Sequence, residues 1–230
     1  METAHLPGDP PIAITLRRSP HARRYALRVS GLDGRVTLTL PPRGSTAEAL
    51  AFAASRADWI RRALAGQEAP VVVGPGTRLP FEGRHLTVTP GAVRATRVEG
   101  EALVVPPDPE RAAVRIATFL KSAARRRLAE ASQRHADRLG KPVAGITLRD
   151  PRSRWGSCSA RGALMFSWRL VMAPPEVLDY VAAHEVAHLA RMDHSPAFWA
   201  VVARLCPDHA RPRAWLKAEG AALHRFRFGG

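Results

Sequence analysis

The part of this chain best equipped for chemistry is HEVAHLARMDH, residues 184–194. On a helix, side chains four apart lie on one face, one above the other. His184 and His188 therefore point the same way and can hold one ion between two imidazole nitrogens. Glu185 stands one step round the helix. It is too displaced for an obvious third ligand, but well placed to take a proton from water at the ion. Catalytic zinc uses three protein ligands and keeps one position open. His194 supplies a third nitrogen if the chain turns back after Met192, and Ser195-Pro196 provides for that turn by starting a new helix at once. The expected cofactor is one Zn2+ per chain.

HExxH arises by chance in about one or two chains per hundred of this composition. The competing reading is three unrelated histidines. Register argues against it. Val177, Leu178, Val181, Ala182, Val186, Ala187 and Leu189 are apolar, so the helix is expected to be buried over much of its surface. Imidazoles and a carboxylate are costly there unless paired or metal-bound. The histidine spacing is shared with the metzincins, which place a glycine where this chain has Arg191 and need a methionine turn downstream. The last methionine is Met192, so that assignment is rejected.

Neighbouring residues divide between chemistry and packing. Arg154 and Trp155 could line a cleft, or Trp155 could fill the core beneath the helix. Cys158 reads as a buried thiol rather than a fourth ligand. Tyr180, four residues before His184, could donate to a developing oxyanion or be a core tyrosine. Asp179, Asp193 and Asp208 are candidates to hold a ligand's second ring nitrogen. His21, His85 and His209 read as surface residues, and Phe198 and Trp199 as packing the following helix onto the site.

The elements that must position these groups are legible from period and punctuation. Ile12, Ile14 and Leu16, then Leu27 and Val29, then Val36, Leu38 and Leu40 alternate as half-buried strands, with a hairpin turn at LDGR, 32–35. Ser45 and Glu48 have capping-box spacing and open a helix to about Leu64. Short strands are expected at 71–73, 86–89, 94–98 and 103–105. PPDPE, 106–110, marks a domain boundary, with a β-rich region containing one helix over 1–107 and a catalytic region over 108–230. Asp108 and Pro109 start a long helix that Gly140 stops; its basic side carries Arg115, Lys121, Arg125, Arg126, Arg127, Arg134 and Arg138. Strands follow near 146–149, 163–166 and 169–172. A proline-led helix then runs to about Met192, the next from Ser195 to about Leu205, a loop over 206–213, and a last helix over 214–224. No internal repeat is evident.

The bulk numbers set limits. The chain has 230 residues, 46% of them apolar, enough for a real core. No apolar run approaches the roughly 20 residues of a membrane span, and no secretion signal is seen at the start. Two cysteines, without CxxC, suit a reducing cytoplasm, the expected location. The net charge of +15 favours acidic partners, nucleic acid among them. Coding bias can account for arginine over lysine, but not for the excess of cations over carboxylates.

SRWGSCS (153–159) and HEVAHLARMDHSPAFW (184–199), with Asp179-Tyr180-Val181 before the second motif and Cys206-Pro207-Asp208 after it, resemble the YgjP-like zinc metallopeptidases. That family sits near the SprT-like and WLM zinc proteases. The resemblance is strong over about 147–216 and weaker back to about His21. It departs at Phe166-Ser167-Trp168, where many relatives have asparagine in place of Ser167. It implies His184, His188 and His194 as zinc ligands and Glu185 as catalytic base. It also implies an α+β, zincin-like core of long helix, small sheet, HExxH helix and following helix, with a polypeptide as substrate. The expectation is a zinc-dependent metallopeptidase. The alternatives are a DNA-associated protease recruited by its basic surface, a non-catalytic structural zinc module, and a metal-dependent hydrolase of non-peptide bonds.

Overall fold

The computed structural model describes residues 2–30, 34–65 and 69–229. Two compact units divide between Ala69 and Pro70. The segment 106–110, where composition suggests a boundary, lies inside the second unit. There Asp108 caps a helix and Pro109 occupies its first turn, and the strands before this helix share one core with it.

The first unit contains β1 (Glu2–Leu6), β2 (Ile12–Arg18), β3 (Ala26–Val29), β4 (Val36–Leu40), α1 (Thr46–Ala54) and α2 (Ala57–Ala65). Its sheet has the order β1-β2-β4-β3. The β1/β2 and β3/β4 pairs are antiparallel, and the central β2/β4 pair is parallel. The alternating residues Ile12, Ile14, Leu16, Val36, Leu38 and Leu40 all face the core, with Ala49, Ala53 and Ile60 packed among them. The expected turn at 32–35 falls partly on Leu32 and Asp33, which lie outside the described residues. Ser45 caps α1 by accepting from the Glu48 N–H. The single helix expected to Leu64 is broken, however. The Ser55 hydroxyl donates to the Phe52 carbonyl at 2.8 Å and the Arg56 N–H donates to the Ala53 carbonyl at 3.1 Å, which tightens and ends the helix there. Strand β1 buries little beyond Leu6, so no apolar alternation announces it in the sequence.

The second unit begins with β5 (Val71–Val72), β6 (Arg78–Phe81), β7 (Arg84–Pro90), β8 (Arg97–Glu99) and β9 (Ala102–Val105). The order β6-β7-β9-β8 again has antiparallel outer pairs and a parallel central pair. The same four-strand wiring thus occurs twice, although the sequence shows no repeat. Backbone pairing depends on alternation and turns, which different side chains supply equally well. Then comes α3 (Pro109–Leu139), ended by Gly140 in the left-handed conformation at φ 69°. Its basic side is not uniformly free. Arg127 pairs with Glu82 at 2.6 Å, Arg134 with Asp179 at 2.9 Å, and Arg138 donates to the Leu205 carbonyl at 2.8 Å.

A three-stranded sheet follows, β10 (Gly145–Arg149), β11 (Gly156–Cys158) and β12 (Ala163–Ser167), in the order β10-β12-β11. Residues Trp168–Met172, of which 169–172 are expected as a strand, form a 3-10 turn with all five side chains buried, which a half-buried strand cannot provide. The Ser167 hydroxyl accepts from the Arg169 N–H and caps it, so the residue that departs from the family pattern has a structural task. The Arg169 guanidinium turns inward. It makes two bonds to the Asp150 carboxylate, at 2.7 and 3.0 Å, and donates to the carbonyls of Leu223 and Phe226 at 2.8 and 3.1 Å.

The last elements are α4 (Pro175–Ala187), α5 (Pro196–Leu205), α6 (Ala210–Glu219), a 3-10 segment (Gly220–Arg225) and β13 (Phe226–Arg227), which pairs in parallel with β5. Helix α6 starts inside the expected loop, since a proline at 212 still falls in the first turn, where its missing N–H costs nothing. Helices α3 and α4 pack together, and Leu128, Val177, Val181 and Val186 belong to one core. Among the described residues no helix is long and apolar enough to cross a membrane.

Candidate metal centre

Helix α4 stops earlier than the sequence suggests. His188 is its C-cap, and the following residues tighten: the Leu189 N–H reaches the Val186 carbonyl at 2.9 Å and the Ala190 N–H reaches Ala187 at 3.0 Å. This turn sends the chain back across the helix end. Ser195 then starts α5, its hydroxyl accepting from the Phe198 N–H while donating to Asp193 at 2.8 Å. The outcome is that His194 returns to the other two imidazoles.

One nitrogen from each of His184, His188 and His194 lies within 4.8 Å of the other two. The Nε2 atoms of His184 and His194 are 3.3 Å apart. Two ligands at roughly 2.0–2.1 Å from a tetrahedral ion would be separated by about that distance. His188 donates from Nδ1 to the Arg191 carbonyl at 2.9 Å. A carbonyl can only accept, so this bond fixes the tautomer and leaves Nε2 with its lone pair free. Burial and the neighbouring His188 and His194 push the His184 imidazole down to about 4, so it is neutral at neutral pH. Burial lowers His188 as well. Neutral imidazoles are what a metal requires, and the donor set fits a divalent ion such as zinc.

Phe198 is fully buried and forms the floor of this cluster. Its ring stacks on His188 at 4.5 Å and meets His194 and His184 at 4.8 and 5.0 Å. Trp199 lies 5.7 Å from the His184 ring. Tyr180 is buried and presents its ring edge-on to His184 at 6.0 Å.

Glu185 is 5% exposed and is pushed up to about 7 by burial, against the opposing pull of the exposed Arg154. The other wall of its niche is β11. A Cβ built at Gly156 would lie 2.5 Å from Glu185 Oε1 and 2.6 Å from its Cγ. Only glycine lets this strand come so close to the carboxylate. Trp155 is half-buried and packs on the last 3-10 segment. Its ring stands 5.2 Å from His224 and against Gly220, and its carbonyl accepts from the Ser167 N–H at 2.8 Å. It braces the Gly156 wall from behind.

Among the described residues none of the three candidate aspartates bonds one of these three imidazoles; for His188 the Arg191 carbonyl does so. Asp179 is taken by Arg134 and lies 3.1 Å from His135 Nε2. Asp193 is taken by Ser195, and no hydrogen bond joins Asp208 to these imidazoles among the described residues. A backbone acceptor has no residue-type signature, so the sequence cannot show it. Cys158 is half-buried, outside the imidazole cluster, with its thiol pushed up by burial and by the Glu185 charge. His21 and His85 are exposed, as expected. His209 is not a plain surface residue: it is half-buried, bonds the Cys206 carbonyl at 3.2 Å and stacks on Trp199 at 5.9 Å. Arg213 joins the site with no motif to signal it. Its guanidinium lies 4.5 Å over the Trp199 ring.

Curated proteins provide no match. Among solved structures, the crystal structure of the metallopeptidase zymogen of Pyrococcus abyssi abylysin aligns with a TM-score of 0.36 at 21% identity, over 40% of this chain and 95% of that one. The YgjP-like metallopeptidase domain matches residues 23–219. That span takes in the strand beside Glu185, the HEVAH helix and the returning His194 together, and the chain belongs to the YgjP-like metallopeptidase family.

Proposed function

We propose that this protein is a zinc-dependent metallopeptidase in which Glu185 is the general base, on a zincin-like core. The observation that carries this reading is the pairing of a buried carboxylate, Glu185, with three converging imidazoles, of which His184 is its neighbour on the helix. His184, His188 and His194 would hold the ion. Zinc bound there supplies Lewis acidity, polarising a peptide carbonyl and making water more acidic.

The chain's own residues do the rest. The Gly156 wall and the α4 backbone hold Glu185 in place. Burial raises its affinity for a proton toward the neutral range, where a general base works best. Glu185 takes a proton from the attacking water and returns it to the leaving amine. Phe198 excludes water from beneath the imidazoles. Tyr180 and Arg154 are the candidate donors to the oxyanion.

Elemental analysis of protein purified without a metal-affinity step tests the metal first. Near one zinc per chain is expected in the wild type and little in His188→Ala. Glu185→Gln should keep the zinc and lose roughly 10²–10⁴-fold in peptide hydrolysis. Turnover at the wild-type rate in that variant would remove Glu185 as base. Zinc without any hydrolysis in the wild type would favour a structural metal.

A further inference from the structure

We propose that Arg213 is a specificity-determining residue that selects peptide substrates carrying a carboxylate close to the scissile bond. The proposal rests on the metallopeptidase reading above and names its substrate class.

Helix α6 packs against α4, and its Arg213 lays a guanidinium over Trp199 at 4.5 Å. Trp199 in turn lies 5.7 Å from the His184 ring and 6.3 Å from the His194 ring. One aromatic ring therefore separates this cation from two of the imidazoles that would hold the metal. Stacking fixes an otherwise flexible side chain and leaves its planar fork of donors unspent. Arg213 is exposed and has no carboxylate within ion-pair distance among the described residues. That sets it apart from the arginines of α3, where Arg127 and Arg134 are matched to Glu82 and Asp179. Two acids of the site are committed elsewhere: Asp193 bonds Ser195, and Glu185 is buried in its niche.

Arg154, on the Glu185 side, is likewise exposed and has no carboxylate within ion-pair distance among the described residues. The site thus has arginines on two sides, and a substrate brings the missing negative charge. An extended peptide advances roughly 3.3 Å per residue, so Arg213 can reach a carboxylate within about three residues of a carbonyl held at the imidazoles. Two sources share this chemistry, an Asp or Glu side chain and a free C-terminus.

The test compares zinc-loaded wild type, Arg213→Gln, Arg213→Lys and Arg213→Glu on one peptide series. One flanking position is Asp, Asn or Lys, and each peptide has a free or amidated C-terminus. The wild type should favour the carboxylate-bearing peptide by about ten-fold in kcat/KM, chiefly through KM, as for a charge-assisted hydrogen bond. Arg213→Gln should erase the preference, Arg213→Lys restore part of it, and Arg213→Glu turn it toward Lys, all with unchanged zinc content. A gain from Asp over Asn assigns the side chain; a gain from the free over the amidated end assigns the C-terminus. Equal preference in wild type and Arg213→Gln overturns the proposal. If the wild type cleaves nothing, the peptidase reading fails by itself, and the same peptides are titrated against the zinc-loaded protein by tryptophan fluorescence. Equal binding of charged and uncharged peptides there also overturns it.

Discussion

The sheet of β1–β4 and the sheet of β6–β9 have the same strand order and the same pattern of directions. They differ in the helix that each one leads into. After β4 the chain forms a nine-residue helix that stops at Ser55, whereas after β9 it forms a 31-residue helix capped at both ends. Only the longer one is a platform on which α4 can lie along its length. Wiring and chemistry are therefore separable: sheet topology is met twice, and the imidazole cluster is attached to one copy. The proposed function sits in the attached site rather than in the sheet.

Four measurements would set the two regions further apart or erase the distinction, the largest effect first. Leu38, in the first sheet, and Leu128, on α3, are both fully buried. Replacing either by alanine should cost about 2–5 kcal/mol in urea unfolding. Only Leu128→Ala should also weaken zinc retention, because α3 supports α4. Equal loss of zinc in Leu38→Ala would end the division of labour.

The second unit closes with the chain's last residues, and these give it a pH dependence. His224 is 6% exposed, and burial, reinforced by the Arg169 cation, holds it down at about 4 against an ordinary 6.5. Below 6.5 the unfolded chain takes up a proton that the folded chain refuses. The stability present above pH 6.5 is therefore lost as pH falls toward about 4, by roughly 3 kcal/mol. Urea midpoints of wild type and His224→Gln at pH 7.5 and 4.5 measure it; an equal acid loss in both would assign the effect to other groups.

Gly156→Ala forces a methyl group against Glu185. Hydrolysis should fall about 10–100-fold with zinc content intact, since a small displacement of a catalytic group is felt strongly. Unchanged turnover would mean that the β11 wall does not position the carboxylate. Smallest of all, Arg97→Gln removes an exposed pair with Glu99 in the second sheet, and should shift stability by under about 0.5 kcal/mol. A larger change would show that this sheet depends on its surface charges.

Much of this molecule is readable one residue at a time. Alternation at 12–16 and 36–40 marks strands, because a period of two has a single buried face. Asp108, Pro109 and Gly140 bound α3 because capping is local chemistry. The three histidines and Glu185 are legible because helix spacing alone aligns two of the imidazoles. Other features depend on partners far along the chain. Residues 168–172 carry an apolar run that suits a strand, but Asp150 and the carbonyls of Leu223 and Phe226 draw Arg169 inward and set a 3-10 turn. The partner of His188 is a carbonyl, invisible to any motif. The cation beside Trp199 comes from a helix that starts where the sequence suggests a loop.

Which side chains could bind a metal, and which carboxylate accompanies them, was already present in the order of residues, since His184, Glu185 and His188 follow from spacing on one helix and His194 precedes the cap of the next. How closely β11 approaches Glu185, how Trp155 is braced and which arginine stands beside the imidazoles came only with the folded chain. Each of these is a distance between elements remote in sequence, and such distances are set by packing, which no local pattern encodes.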